Sequence, residues 1–331
     1  MTHIEDELLV GDEETRQPRL FPAPSGGRWT VPVATVPDRP LAATSSLALA
    51  AHWFDQELTR LGMAANTRKT YVKAVRLLAR YLGPSKPLSQ IIPDDLYRFQ
   101  AWVEQRARSP KTAEVKLTAV RRFFLALYEA RILPANVAAD MYPTKAQTPL
   151  PVVLHQAQAE RIRRIVAEKA ARLDEPDVRP ALLVTLLLDM GLRLGEVQRL
   201  NFDDIDVSNP LRPVVYVRYA EQRHRAKQRA LLAPPALSEV LRRYAQHHPL
   251  PPGEKRLLPY SRRILQYWIV RVGEEAQLHR PLSPSMLRWT FAVEQFKAGV
   301  DPETLRQRLG LAPRGWRDVE VKLKLLARRP I

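Results

Sequence analysis

Residues 190–197 are Met190-Gly191-Leu192-Arg193-Leu194-Gly195-Glu196-Val197. Gly191 permits a backbone turn that other residues rarely adopt, and it comes two residues before an arginine. A guanidinium offers a planar fork of donors that fits two phosphate oxygens and keeps its proton. Arg193 and Glu196 are three residues apart, which predicts one helix face for both. A simple surface ion pair uses the same spacing.

A β-hairpin is predicted downstream of this turn. The segment 200–206 (LNFDDID) leads into a strand-like stretch at 213–220, PVVYVRYA, and another follows at 229–233. A cluster of basic residues fills the segment between them and extends to the first residue of the second stretch: Arg223, His224, Arg225, Lys227 and Arg229. A loop with this composition can neutralise the phosphates of a nucleic acid.

The remainder of the chain is predicted to be helical, because apolar residues recur at helical spacing. The predicted fold class is mainly α with a small antiparallel β-sheet. The helical segments are four or five between 45 and 142, then 155–173, 178–190, 236–248, 261–276, 284–298 and 302–309. Proline-rich stretches divide the chain into a flexible arm (1–44), an all-helical domain (45–142), a linker (143–153) and a second domain (154–331).

The charge balance indicates a polyanionic partner. There are 52 Lys and Arg against 35 Asp and Glu, giving a net charge of +17. A folded protein with this excess repels itself unless a polyanion is present, and nucleic acid is the leading candidate. The absence of cysteine excludes disulfides, thiol catalysis and cysteine-ligated zinc, and we expect no metal or other cofactor. With no membrane-length apolar run and no signal pattern, a cytoplasmic, nucleoid-associated location is expected.

Taken together, these segments resemble the tyrosine recombinase (phage integrase) family over roughly residues 45–311. Residues 190–206 are similar to its first arginine box, and Ser283 to Ala292, containing Arg288, to its second. The helical domain resembles the family's SAM-like core-binding domain in the order of three patterns. These are Asn66-Thr67-Arg68-Lys69-Thr70-Tyr71, Arg121-Arg122-Phe123-Phe124 and Leu133-Pro134. The resemblance implies double-stranded DNA as the partner.

The resemblance also implies a role for each matching residue. Arg193 and Arg288 would grip the scissile phosphate, and Glu196 would support them. Two guanidiniums on one phosphate stabilise the extra charge of five-coordinate phosphorus. Lys227, in Lys227-Gln228-Arg229, would protonate the leaving oxygen as a general acid; equally, the whole cluster from Arg223 to Arg229 would only neutralise phosphates. Contacts with the DNA are expected from Arg68, Lys69, Arg121, Arg122, Arg225 and Arg229.

Three positions depart from the family pattern. The family's histidine is replaced by Ser285, the His or Trp after Leu309-Gly310 by Leu311, and the nucleophilic tyrosine by Glu320. No tyrosine follows Tyr267, which is expected in the core. The phenol matters because it stores the cleaved bond as a phosphotyrosine, whereas attack by Glu320 would give an acyl phosphate that water destroys.

Three functions are consistent with this pattern. The first is a degenerate recombinase that binds DNA in recombination or integration without cutting it, by self-association on DNA or beside an active recombinase. The second is an active recombinase whose nucleophile is displaced or donated by another chain. The third is an unrelated helical transcription regulator, which would lack the small sheet before residue 235.

Overall fold

The structure is a computed structural model that describes residues 41–144, 149–171, 178–249 and 251–328. Within these ranges the chain is mainly helical with one small antiparallel sheet, which confirms the predicted fold class. The described residues fall into two compact units, one up to residue 144 and one from Pro149 onward. The predicted arm lies outside the described residues except for 41–44, and so does the middle of the predicted linker, 145–148.

The first unit is a helical bundle without a strand among its described residues. Ser46, and not Thr44 or Ser45 as predicted, caps the first helix, because its hydroxyl accepts from the Leu49 N–H at 3.3 Å. Ser109 caps the last helix, as predicted. The helices are α1 (Leu47–Arg60), α2 (Ala65–Leu82), α3 (Pro93–Arg106) and α4 (Pro110–Glu129).

The second unit surrounds a small sheet with helices. Its first elements are α5 (Gln156–Ala171), α6 (Arg179–Val184), a π-helical turn (Thr185–Asp189), α7 (Leu194–Val197), β1 (Ile205–Asp206), β2 (Val214–Val217) and β3 (Arg229–Leu232). The others are α8 (Ala236–His247), α9 (Arg262–Glu275), α10 (Pro284–Lys297), α11 (Pro302–Arg308) and α12 (Pro313–Ala327). The single helix predicted at 178–190 is therefore divided between α6 and the π-helical turn.

The sheet has the order β1-β2-β3 and is antiparallel throughout. Val215 pairs with Ile205 on one side and Leu231 on the other, and all three side chains are buried. Strand β2 ends at Val217, three residues before the predicted end at 220. The residues just after β2 are thus free of the ladder, which allows the side chain of Tyr219 to turn towards α7.

One core prediction is wrong. Tyr267 is 60% exposed, since α9 buries the opposite face that carries Leu265, Trp268 and Ile269. The C-terminal helices α10, α11 and α12 share a separate apolar cluster that contains Trp316 and, partly buried, Leu311. No helix in the described ranges has the length and apolar character needed to cross a membrane.

Candidate functional site

The turn predicted at Gly191 is present and needs glycine. Gly191 has a φ of +63°, and a Cβ at this position would collide with the ring of Phe291. The turn places Arg193 directly before α7 and Glu196 in its first turn. The Arg193 backbone N–H donates to Glu196 Oε2 at 2.8 Å, and its Nη1 donates to Oε1 at 3.0 Å. The two residues therefore pair across the start of the helix, and not along one helix face as predicted.

Glu196 collects the charged groups of the site and is only 3% exposed. Arg229 binds it in a bidentate manner, with Nη1 at 3.1 Å from Oε1 and Nη2 at 3.0 Å from Oε2. The Tyr219 hydroxyl donates to Oε1 at 2.6 Å, and Arg288 Nη1 lies 4.0 Å from Oε2. Arg193, Glu196, Tyr219, Arg229 and Arg288, from four different parts of the second unit, are here called the arginine centre.

The electrostatics of the arginine centre leave it positively charged. Burial raises the pKa of Glu196, but the hydrogen bonds and charge of Arg229, with the Arg193 N–H and the Arg288 charge, outweigh burial and hold this pKa at about 2. Burial and the Arg193 charge lower the pKa of Arg288 to about 9. Burial and then Glu196 raise the pKa of Tyr219, so the phenol stays neutral. At pH 7 three guanidiniums therefore face one carboxylate, which favours an anionic ligand.

The same three guanidiniums cap the end of α11, where backbone carbonyls lack helical partners. Arg229 Nε donates to Arg308 O at 2.7 Å, Arg288 Nη2 to Leu309 O at 2.5 Å, and Arg193 Nη1 and Nη2 to Gly310 O at 3.4 Å each. Arg288 Nη1 also donates to the Gly191 carbonyl. Gly310 has a φ of +55°, and a Cβ there would meet the Arg229 guanidinium. The arginine centre thus fixes the segment that leads into α12.

The three arginines differ in how far ligands can reach them. The exposed fraction of the side chain is 35% for Arg193, 15% for Arg288 and 7% for Arg229. Arg229 was expected to contact DNA, but its guanidinium is occupied by Glu196 and the Arg308 carbonyl. Arg193 is therefore the most accessible cation of the arginine centre. Arg229 supports it indirectly by binding the same carboxylate, Glu196.

The loop between β2 and β3 carries the predicted general acid. Lys227 Nζ lies 3.0 Å from His224 Nδ1, and His224 Nε2 lies 3.6 Å from a carboxylate oxygen of Glu221. The Lys227 carbonyl accepts from Arg229 Nη1 at 3.1 Å, so the end of the loop is tied to the arginine centre. Arg225 is exposed on the same loop.

The three positions predicted to depart from the family pattern lie on α10, after α11 and on α12. Ser285 is exposed, and Leu311 packs against the apolar cluster of the C-terminal helices. Glu320 pairs with Lys324 on the same helix, with Oε1 2.7 Å from Nζ. Within the described residues, Tyr219 supplies the phenol of the arginine centre, and this residue was not predicted from the sequence. The feature of the sequence that could have indicated Tyr219 is its position two residues after β2.

The cations predicted in the first unit differ in their surroundings. Arg68 Nε is 2.9 Å from Asp55, and Arg121 stacks over the Tyr142 ring with its Cζ 4.8 Å from the centroid. Arg122 Nη1 lies 3.8 Å from Glu129 in an exposed pair.

Lys69 belongs to a row of unpaired cations on α2. Lys69, Lys73, Arg76 and Arg80 follow one another at helical spacing and are all exposed. None of these four side chains has a polar partner among the residues that the structure describes. Like charges at this spacing repel one another, so the α2 cation row favours a bound polyanion.

Comparison with known proteins finds two family models along the chain. Residues 153–315 match the model of the phage integrase family, and residues 52–131 match that of the phage integrase N-terminal SAM-like domain. The Sinorhizobium fredii protein y4qK, an integrase/recombinase by name, is 28% identical over 74% of this chain and 75% of its own. Tyrosine recombinase XerC of Listeria monocytogenes is 23% identical over 75% of this chain and 84% of its own.

Two solved structures share the fold. The XerH site-specific recombinase bound to its palindromic difH substrate matches with a TM-score of 0.69 and 14% identity, covering 88% of this chain and 95% of that one. A lambda integrase dimer bound to a core site matches with a TM-score of 0.64 and 15% identity, covering 86% and 79%. The small sheet is present and both family models match, so the reading as an unrelated helical regulator is not supported.

Proposed function

Since the chain belongs to the phage integrase family of tyrosine recombinases, we propose that it binds double-stranded DNA in recombination or integration and grips a backbone phosphate at its arginine centre. The observation that carries this proposal is the convergence of Arg193, Arg229 and Arg288 on the single carboxylate of Glu196. One carboxylate neutralises one of three cations, and the surplus charge is oriented by protein groups before any ligand arrives.

In this proposal Arg193 and Arg288 are the phosphate ligands. Their outer nitrogens now donate to the neutral carbonyls of Gly310, Leu309 and Gly191. A phosphate oxygen carries negative charge and a carbonyl oxygen does not, so a guanidinium is attracted more strongly to the phosphate. We expect phosphate to replace these contacts while Glu196 and Arg229 stay in place.

The first unit supplies a second region of contact in the proposal. The α2 cation row offers unpaired charges along one exposed helix face. Each phosphate that such a cation neutralises releases condensed counterions, so binding weakens steeply with salt. The XerH structure is bound to its difH substrate, and the similar Tn1549 transposon integrase is in complex with transposon right end DNA, which supports DNA as the polyanion.

We further propose that the protein does not cleave DNA by itself. The family's nucleophile position holds Glu320, which pairs with Lys324, and the imidazole positions hold Ser285 and Leu311. A carboxylate would form an acyl phosphate, which is too short-lived to preserve the strand for rejoining. Cleavage would then need a displaced nucleophile in this chain or a tyrosine from another chain.

The proposal is tested by capturing sheared genomic DNA on the purified protein and washing with SDS. Binding that is lost completely in SDS is expected. DNA that survives SDS, and whose retention disappears in Arg288→Ala, would mean an active recombinase with a displaced nucleophile.

Use of the arginine centre is tested separately by Arg193→Ala combined with Arg288→Ala. DNA affinity should fall at least tenfold, as expected from two lost charge-assisted contacts. Arg242→Ala, which removes an exposed arginine paired with Glu239, is the matched control. Equal affinity of the double variant and this control would reject the arginine centre as the phosphate site.

A further inference from the structure

We infer that Tyr219 is a positioning residue of the arginine centre, which keeps Arg193 available to phosphate by sharing the Glu196 carboxylate with it. The inference rests on the proposed function, because it assigns Tyr219 a part in the same phosphate grip. It concerns a side chain that follows β2 and belongs to neither arginine box.

The hydrogen bonds at Glu196 show why a neutral donor matters. Oε1 accepts from Tyr219 Oη at 2.6 Å, Arg193 Nη1 at 3.0 Å and Arg229 Nη1 at 3.1 Å. The phenol makes the shortest of the three bonds and adds no charge. It therefore satisfies the carboxylate without further neutralising it, so that Arg193 is shared between Oε1 and the more distant Gly310 carbonyl.

The ring of Tyr219 packs against two neighbouring side chains. The Arg199 guanidinium lies over one face with Cζ 4.9 Å from the ring centroid, and the His224 ring packs edge-on at 5.5 Å. The Tyr219 carbonyl accepts from the Gln228 side chain at 2.9 Å. With two neighbours against its ring and a third on its backbone, Tyr219 keeps its hydroxyl at one distance from Glu196, as positioning requires.

Tyr219 is not suited to act as the missing nucleophile. Its hydroxyl already donates to a carboxylate, and a phenolate there would face the negative charge of Glu196 at close range. Burial and this charge raise the pKa of Tyr219, which keeps the oxygen protonated at neutral pH. The geometry thus separates Tyr219 from the nucleophile, which must be a phenolate during attack.

The test is Tyr219→Phe in the full-length protein, with duplex DNA affinity measured over a salt series. Without the hydroxyl, Glu196 draws Arg193 closer, and affinity should fall about three- to tenfold. The slope of log affinity against log salt should decrease by up to about one, the value of one lost phosphate contact. The control is Tyr216→Phe. Tyr216 lies on β2 with its ring under the Arg218 guanidinium, and its loss of a hydroxyl should change neither the affinity nor the salt slope.

A merely structural role is distinguished by repeating Tyr219→Phe in an Arg193→Ala background. The inference requires that Tyr219→Phe causes no further loss of DNA affinity once Arg193 is alanine, because Tyr219 acts through Arg193. Additive losses, or wild-type affinity in Tyr219→Phe, would overturn it. All variants are compared at a temperature at which circular dichroism shows each of them folded.

The proposed function and this inference fail in different ways. If Arg193→Ala with Arg288→Ala leaves DNA affinity unchanged, the phosphate grip itself is wrong. If that double variant loses affinity but Tyr219→Phe does not, only the role of Tyr219 is wrong.

Discussion

The Glu196 carboxylate is surrounded by three guanidiniums. Its lowered pKa makes the stability of the fold depend on pH. The folded-state pKa of about 2 is below the ordinary value of 4.5. A lowered carboxylate pKa stabilises the fold above the unfolded-state value, and this contribution is lost as pH falls towards the folded-state value. The stabilising window is thus above pH 4.5, and the loss occurs between there and pH 2.

We therefore expect Glu196→Gln to lower the free energy of unfolding by about 3 kcal/mol at pH 7, from roughly 1.4 kcal/mol for each pKa unit. The difference from wild type should shrink by more than about half by pH 3. Urea unfolding at both pH values measures it. Glu168→Gln, an exposed carboxylate on α5, is the control. A difference that is independent of pH would contradict the assignment.

Gly191 is the second residue with a sharp expectation. Gly191→Ala adds a methyl group both at a positive φ and against the Phe291 ring, so the unfolding free energy should fall by about 2–4 kcal/mol. Gly253→Ala is a matched control, since Gly253 has a φ of +85° with open space around its missing Cβ. Its cost should be about 1 kcal/mol from backbone strain alone. Thermal unfolding of both variants provides the comparison, and equal losses would remove the collision from the explanation.

The sequence could predict part of the site at this scale. Arg193, Glu196 and Arg288 lie in recognisable boxes, and the structure brings them together. Tyr219 could not be predicted, because a tyrosine next to an apolar run is equally typical of a strand. Tyr267 was misplaced because an apolar side chain among apolar neighbours does not reveal which helix face it occupies.

At the scale of elements, the helices of the first unit follow their caps and apolar stripes closely, whereas the segment 178–190 does not. Its residues from Ala181 to Leu188 are all buried, so the hydrophobic pattern has no polar side to define a helical period. The change from α6 to the π-helical turn depends on a shift in backbone hydrogen bonding. Side-chain hydrophobicity carries no record of that shift.

The α2 cation row gives the prediction that belongs to this scale. Replacing Lys69, Lys73, Arg76 and Arg80 by Gln should lower the slope of log affinity against log salt by about 0.9 for each cation that contacts a phosphate. Arg60→Gln with Arg98→Gln is the control, because both arginines are paired with carboxylates of their own helices. The same slope in the row variant and the control would exclude α2 as a DNA-contacting face.

For the whole molecule, the excess positive charge gave the most direct prediction from composition, which is a polyanionic partner. The two compact units are defined by the contacts in the structure. All five residues of the arginine centre belong to the second unit. We expect residues 149–331, produced alone, to bind duplex DNA more weakly than the full chain because the α2 cation row is missing. Arg193→Ala with Arg288→Ala should still reduce the remaining affinity, as measured by fluorescence anisotropy. Insensitivity of the fragment to this change would place the phosphate grip elsewhere.

If Arg193 and Arg288 bind phosphate as proposed, their contacts with the Leu309 and Gly310 carbonyls link ligand binding thermodynamically to the position of the last helix. A phosphate that takes donors from these carbonyls weakens the hold on the segment before α12. By reciprocity, any partner that draws α12 away frees the same donors and raises phosphate affinity by an equal factor. Anion binding at the end of α11 and displacement of the C-terminal helix therefore favour each other by the same free energy.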